Sequence, residues 1–218
     1  MRAVIFFCTI FISRMILWQL LTFIIRVRIH PEKGLDLLLA AAVLLVRQRP
    51  DLPRWRIELV GPWTVPQGGG GESYRDSLVA VYGPALGDRL ALTGPEFAAE
   101  KLARRYAAMD VFCYPSLADQ GETFGISVAE AMAAHVPPIV SGLTCFRELV
   151  RDGETGLAFD HTAPDAAVQL SDALARLLAD APLRHELAER AQAHARRYDF
   201  AESARAVLAL LAPLAPNK

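Results

Sequence analysis

What most restricts the fold of this chain is a rhythm in which short apolar, β-rich runs alternate with longer stretches whose apolar residues recur at helical spacing. Residues 22–29, 56–60, 89–93, Val111–Tyr114 and Pro138–Ser141 read as strands, with 156–159 as a sixth. Leu35, Leu38, Leu39, Ala42, Val43 and Val46 mark the first helix, and further helices are predicted over 73–81, 98–108 and 125–134, with a short one at 146–150. From residue 163 onward the chain reads as helical and Ala/Leu-rich, with Pro182 starting a fresh helix and a break at Tyr198-Asp199. Such alternation packs as a parallel sheet covered by helices on both faces. The expected fold is therefore α/β, a Rossmann-like doubly wound parallel sheet with additional C-terminal helices. Ligands in such sheets lie outside the carboxyl ends of the strands. The loops after the first, fourth and fifth strands are where chemistry is expected.

Length sets the domain count. A chain of 218 residues holds one full domain and excludes two complete nucleotide-binding-sized ones. With 53% hydrophobic residues it can bury a substantial core. Its 23 Lys+Arg against 24 Asp+Glu leave no electrostatic footprint for nucleic acid. Cys8, Cys113 and Cys145 have no zinc-ligand spacing, so a reducing, cytoplasmic setting is expected. Residues 3–25 are almost wholly apolar, interrupted by Arg14 and Gln19. A membrane helix, a signal peptide and a start that replaces an upstream domain compete for this stretch. The domain division expected is 1–21 as an apolar extension, 22–197 as the ligand-binding domain and 198–218 as a C-terminal helix.

Two segments carry the candidate chemistry. Arg28-Ile29-His30-Pro31-Glu32-Lys33-Gly34 puts two cations around a helix start, where unpaired backbone N–H groups already favour an anion. In Gly121-Glu122-Thr123-Phe124-Gly125-Ile126-Ser127-Val128-Ala129-Glu130, seven residues separate two glutamates, and Gly125 lets a ligand approach the amides at the helix start. Spacing alone leaves open whether these residues bind a ligand or merely complement a helix dipole and face solvent.

The ordered series HPEKGLDLLL, LVGPW, MDVFCYPS, GETFGISVAEAMA, PPIVS and FRELVRDGETGLAF resembles the donor-binding half of the retaining GT-B glycosyltransferases, glycosyl transferases group 1. The resemblance covers about 22–160. It implies a single GT-B half-domain that binds a nucleotide-diphosphate sugar and transfers the sugar with retention to an unknown glycan or lipid acceptor. Arg28 and Lys33 match the basic pair on the donor diphosphate. Glu130 matches the glutamate that binds the ribose hydroxyls, and Glu122 the one near the donor sugar. Backbone N–H groups of Phe124, Gly125 and Ile126 would hold sugar hydroxyls and a phosphate oxygen. Glu122, Arg28 and Lys33 are the catalytic candidates. No metal cofactor is implied, and the five histidines form no ligand cluster in the sequence. The expected partners are the donor, the acceptor, a missing N-terminal acceptor domain and, at most, a peripheral membrane surface.

Departures from the family pattern carry their own expectations. Val27 stands where a glycine is usual and would crowd the diphosphate; His135 stands where a glycine caps the helix after EAMA. A non-catalytic binding fragment and a GT-B nucleotide-sugar epimerase are the alternatives. Gly68 to Gly71 lacks the Lys-Ser/Thr of a phosphate loop and reads as a flexible surface loop, with a loop beside the donor site as the alternative. Cys113 reads as core, Cys145 as a loop residue near the proposed site, and His30 as a phosphate contact, a helix cap or a solvated side chain.

Overall fold

The computed structural model describes residues 20–211. Among these described residues, six strands form one wholly parallel sheet: β1 (Leu21–Arg26), β2 (Trp55–Val60), β3 (Leu90–Thr93), β4 (Val111–Tyr114), β5 (Pro138–Ser141) and β6 (Leu157–Phe159), in the order β3-β2-β1-β4-β5-β6. This is the doubly wound order, with its topological switch between β1 and β4. The sixth strand and the Rossmann-like fold expected from the alternation are both present. Seven helices of the described residues join and cover the strands: α1 (Leu35–Gln48), α2 (Glu72–Leu86), α3 (Ala99–Ala107), α4 (Ile126–Ala133), α5 (Ala166–Ala179), α6 (Ala181–Ala195) and α7 (Phe200–Leu211). Among the described residues no helix is long and apolar enough to cross a membrane.

Burial explains the strand sequences. Val111–Tyr114 and Pro138–Ser141 are buried at every position, so they read as continuous apolar runs, without alternation. The core runs through Phe23, Ile25, Ile57, Phe112 and Ile139 of the sheet. On one face α1 buries Leu35, Leu38, Leu39, Ala42 and Leu45 and packs against α2 and α5, whereas α4 packs against α6. The main contact of α7 is with the 3-10 turn Arg196–Tyr198 before it.

Three local differences from the sequence reading have physical causes. The first strand ends at Arg26 and not at 29, although Val27 N–H still donates to Val60 O at 3.1 Å and Ile29 N–H to Pro62 O at 2.8 Å. The helix expected at 146–150 is a 3-10 turn over Thr144–Phe146, after which Val150 N–H closes on Phe146 O at 2.7 Å and the chain leaves helical geometry. Helix α2 extends to Leu86 through Pro84, whose ring lies in the last turn. Because β1 begins at Leu21, the end of the long apolar stretch is sheet, which excludes a membrane helix reaching to 25. The remainder of the expected extension, 1–19, lies outside the described residues, as does 212–218 at the far end.

Candidate functional site

The loops after β1 and β4 build the crevice at the switch point. After β1 the chain turns through Val27-Arg28-Ile29-His30 into a 3-10 turn, Pro31–Lys33. His30 caps it, its Nδ1 accepting from Glu32 N–H at 3.4 Å, so the capping reading of His30 is the one observed. Gly34 then starts α1 with φ 67°, and an added Cβ there would lie 1.9 Å from Pro115 O. This close approach of backbones brings the loop after β1 onto the loop after β4.

The contact draws together residues far apart in sequence. Lys33 Nζ donates to Glu122 Oε1, and both side chains are almost fully buried, 7% and 8% exposed. The same oxygen accepts from Tyr114 Oη and Ser116 Oγ, each at 3.0 Å. Ser116 is held in turn by Ser141 Oγ, which donates to its carbonyl at 2.6 Å. Burial, reinforced by the Glu122 charge, pushes the Tyr114 hydroxyl well above its ordinary range, so it stays a donor.

The second glutamate has its own cation. Arg26 donates to Glu130 Oε2 at 2.7 Å and Tyr106 Oη to the same atom at 2.8 Å. Both bonds fall on Oε2, so Oε1 is the oxygen this carboxylate can offer to a ligand. Burial first, then Glu130, raises the Tyr106 hydroxyl as well. Arg28, 47% exposed in its side chain, donates to Glu32 Oε1 at 2.6 Å and to Gly68 O at 3.2 Å. Three cations and three carboxylates therefore pair off around the crevice.

Gly125 opens α4 with φ 77°, and a Cβ there would sit 2.7 Å from the Phe146 ring. No side chain caps the helix, so the first-turn N–H groups of Ile126 and Ser127 are open to a ligand. Ile126 is 68% exposed, and Phe124 meets Tyr198 edge-on with ring centroids 5.1 Å apart. Beside Arg26 and Arg28 lies a cavity of about 180 Å³, lined also by Gly61, Pro95 and the exposed Phe97.

Sequence reasoning placed Arg28, Lys33, Glu122, Gly125 and Glu130 here, and the fold brings them to one crevice. It missed Arg26, Tyr106, Tyr114 and Ser116. Val27 is buried against the core and also lines the cavity between Arg26 and Arg28, and burial alternates along this segment, with Ile25, Val27 and Ile29 buried and Arg26 and Arg28 more exposed. Of the two readings of the Gly68 to Gly71 loop, the one beside the crevice is observed: Gly70 N–H donates to Ile29 O at 2.8 Å, and Gly68 O accepts from Arg28. Cys113 is fully buried, as expected of core. Cys145 is half-buried, its thiol pushed up by burial and, secondarily, by Glu122. His135 is left-handed as expected, with φ 64°.

Comparison with known proteins places these features in a family. The family described as glycosyl transferases group 1 matches residues 20–194. The D-inositol 3-phosphate glycosyltransferase of Corynebacterium urealyticum is 32% identical over 185 residues, covering 84% of this chain and 41% of its own length. The phosphatidyl-myo-inositol mannosyltransferase of Mycobacterium tuberculosis (strain H37Rv) is 33% identical over 172 residues, 78% of this chain and 41% of its length. The chain thus spans about two fifths of these curated relatives. Among solved structures, Anabaena Alr3699/HepE in complex with UDP and glucose superposes with a TM-score of 0.71 at 22% identity, over 89% of this chain and 48% of that one.

Proposed function

Because this chain belongs to the glycosyl transferases group 1 family, we propose that its crevice binds a nucleotide-diphosphate sugar and presents the sugar for transfer, with retention, to an acceptor held by a second domain. The observation that carries this reading is the meeting of Lys33 with Glu122, 89 residues apart, at the β1/β4 switch point, beside Glu130 and an uncapped helix start.

Each group has a role that follows from its chemistry. Glu130, its Oε2 fixed by Arg26 and Tyr106, accepts from the ribose hydroxyls through Oε1. The nucleoside then lies in the cavity between Arg26 and Phe97. Arg28 is exposed enough to leave Glu32 for a phosphate, and Lys33 lies behind it. As the glycosidic bond breaks, negative charge grows on the departing diphosphate, and these two cations with the amides of Phe124, Gly125 and Ile126 stabilise it. Glu122 holds Lys33 in place and lies near the donor sugar. Attack from the leaving-group face through an oxocarbenium-like transition state, assisted by the departing diphosphate, accounts for retention. These roles need no metal ion.

The test is calorimetric titration with UDP, GDP and ADP. One of them binds, and Glu130→Ala and Arg28→Ala each weaken that binding at least tenfold, about 1.4 kcal/mol. Unchanged affinity in both variants refutes the site. Incubation with the matching nucleotide sugar then separates a catalytic unit, which hydrolyses or transfers the sugar, from a module that only binds it.

A further inference from the structure

A second cluster of ligand-bearing side chains lies away from the crevice, where α4 ends. The eight residues of α4 carry the chain about 12 Å back from Gly125. Its end is closed by paired bonds, His135 N–H to Met132 O at 3.1 Å and Val136 N–H to Ala131 O at 3.0 Å, the arrangement that places a left-handed residue after a helix. That residue is His135, at φ 64° the only non-glycine with positive φ among the described residues. A glycine would serve this turn better, but a glycine brings no side chain to the neighbouring helix α6.

On α6, His185 and Glu189 are one turn apart on one face, with His185 Nε2 at 3.3 Å from Glu189 Oε1. The His135 ring faces them, its centroid 5.2 Å from that of His185. One ligand atom from each of the three residues falls within 4.8 Å of the others. Two ligands bound tetrahedrally at about 2.05 Å lie about 3.3 Å from each other. The His185/Glu189 pair already has that separation. Both side chains are more than half exposed, so small rotations can bring His135 to the same distance without disturbing the core.

We propose that His135, His185 and Glu189 bind one divalent transition-metal cation of the zinc type. Two imidazole nitrogens and one carboxylate oxygen suit such an ion, whereas calcium and magnesium favour all-oxygen shells. Water completes the coordination at this open surface. The ion clips α6 to the end of α4, joining positions 50 residues apart, and stabilises the packing behind the helix whose other end forms the crevice. The site is independent of the donor-binding reading, since it shares no residue with it.

The experiment is titration of the metal-stripped chain with Zn²⁺ alone, followed by calorimetry and thermal unfolding. The chain binds one equivalent and melts at a higher temperature with Zn²⁺ than without it. His185→Ala and His135→Gly, the latter free of left-handed strain and so well folded, each bind at least tenfold more weakly and lose the metal-induced rise. Equal Zn²⁺ binding in the wild type and either variant, or no saturable binding by the wild type, overturns the proposal.

Discussion

Replacing Lys33 by Met and Glu122 by Gln, singly and together, isolates the ion pair at the heart of the crevice. Both side chains are less than a tenth exposed, so each single change leaves a charge buried without its countercharge. Breaking a buried pair in this way costs about 3–5 kcal/mol. The lower end applies to Lys33→Met, because Tyr114 and Ser116 still donate to the stranded Glu122 carboxylate. In Glu122→Gln, the stranded Lys33 keeps Glu32 at 3.5 Å, so a value near 3 kcal/mol is expected there as well. The double variant strands neither charge, and its Gln still accepts from both hydroxyls. Its cost is no greater than that of either single change, which makes the coupling about 3 kcal/mol. Urea unfolding reads this directly: with a slope of about 2 kcal/mol/M, each single variant loses about 1.5 M in midpoint and the double variant loses no more. If the double variant's loss equals the sum of the single losses to within about 0.5 kcal/mol, the two side chains do not interact and the geometry is wrong.

Two further outcomes concern the same crevice. Tyr106 and Tyr114 have folded-state pKa values raised by burial, so their contribution is complete below the unfolded value of about 10 and is lost as pH rises through the folded one. Thermal midpoints therefore hold to pH 9 and fall above 10, and Tyr106→Phe and Tyr114→Phe flatten the fall; an unchanged slope in both contradicts the assignment. Gly34→Ala puts a Cβ 1.9 Å from Pro115 O at φ 67°, which costs about 3 kcal/mol and lowers the melting temperature, and a variant as stable as the parent shows that the loops do not approach as described.

The central strands were legible because burial on both faces leaves a continuous apolar run, bounded here by Asp110 and Pro115 around β4. The end of β1 was less so, since pairing continues through Val27 and Ile29 beyond the regular strand. Arg28, Lys33, Glu122 and Glu130 sit in local patterns that a sequence displays. Arg26 does not, because it closes an apolar run and reads as a strand residue. Its signal was the alternation of Arg26, Arg28 and His30 against Ile25, Val27 and Ile29, which sets the cations on one side. Tyr106, Tyr114 and Ser116 carry no comparable mark. A tyrosine on a buried segment reads as core, and which carboxylate its hydroxyl meets, Glu130 for Tyr106 and Glu122 for Tyr114, is decided by how the helices and loop around β4 fold back on one another. The pairing of His135 with the His185/Glu189 turn depends likewise on α4 lying against α6.

The greater change concerns how the crevice meets an anion. As a sequence, Arg28 and Lys33 look like free positive charge waiting at a helix start. In the fold Arg26 is held by Glu130, Arg28 by Glu32 and Lys33 by Glu122, so the formal charge of the six groups cancels. Such a site attracts an anion weakly at long range. Under the proposed function a diphosphate would instead exchange with carboxylates already in place, and the pairs differ in how readily they yield. The exposed Arg28/Glu32 pair is worth about 1 kcal/mol at most, whereas the buried Lys33/Glu122 pair cannot open without stranding charge. In the proposed binding mode a phosphate is therefore met first by Arg28, while Lys33 contributes from where Glu122 holds it. The carboxylate that seems to oppose an anion is the group that keeps a buried cation in position for one.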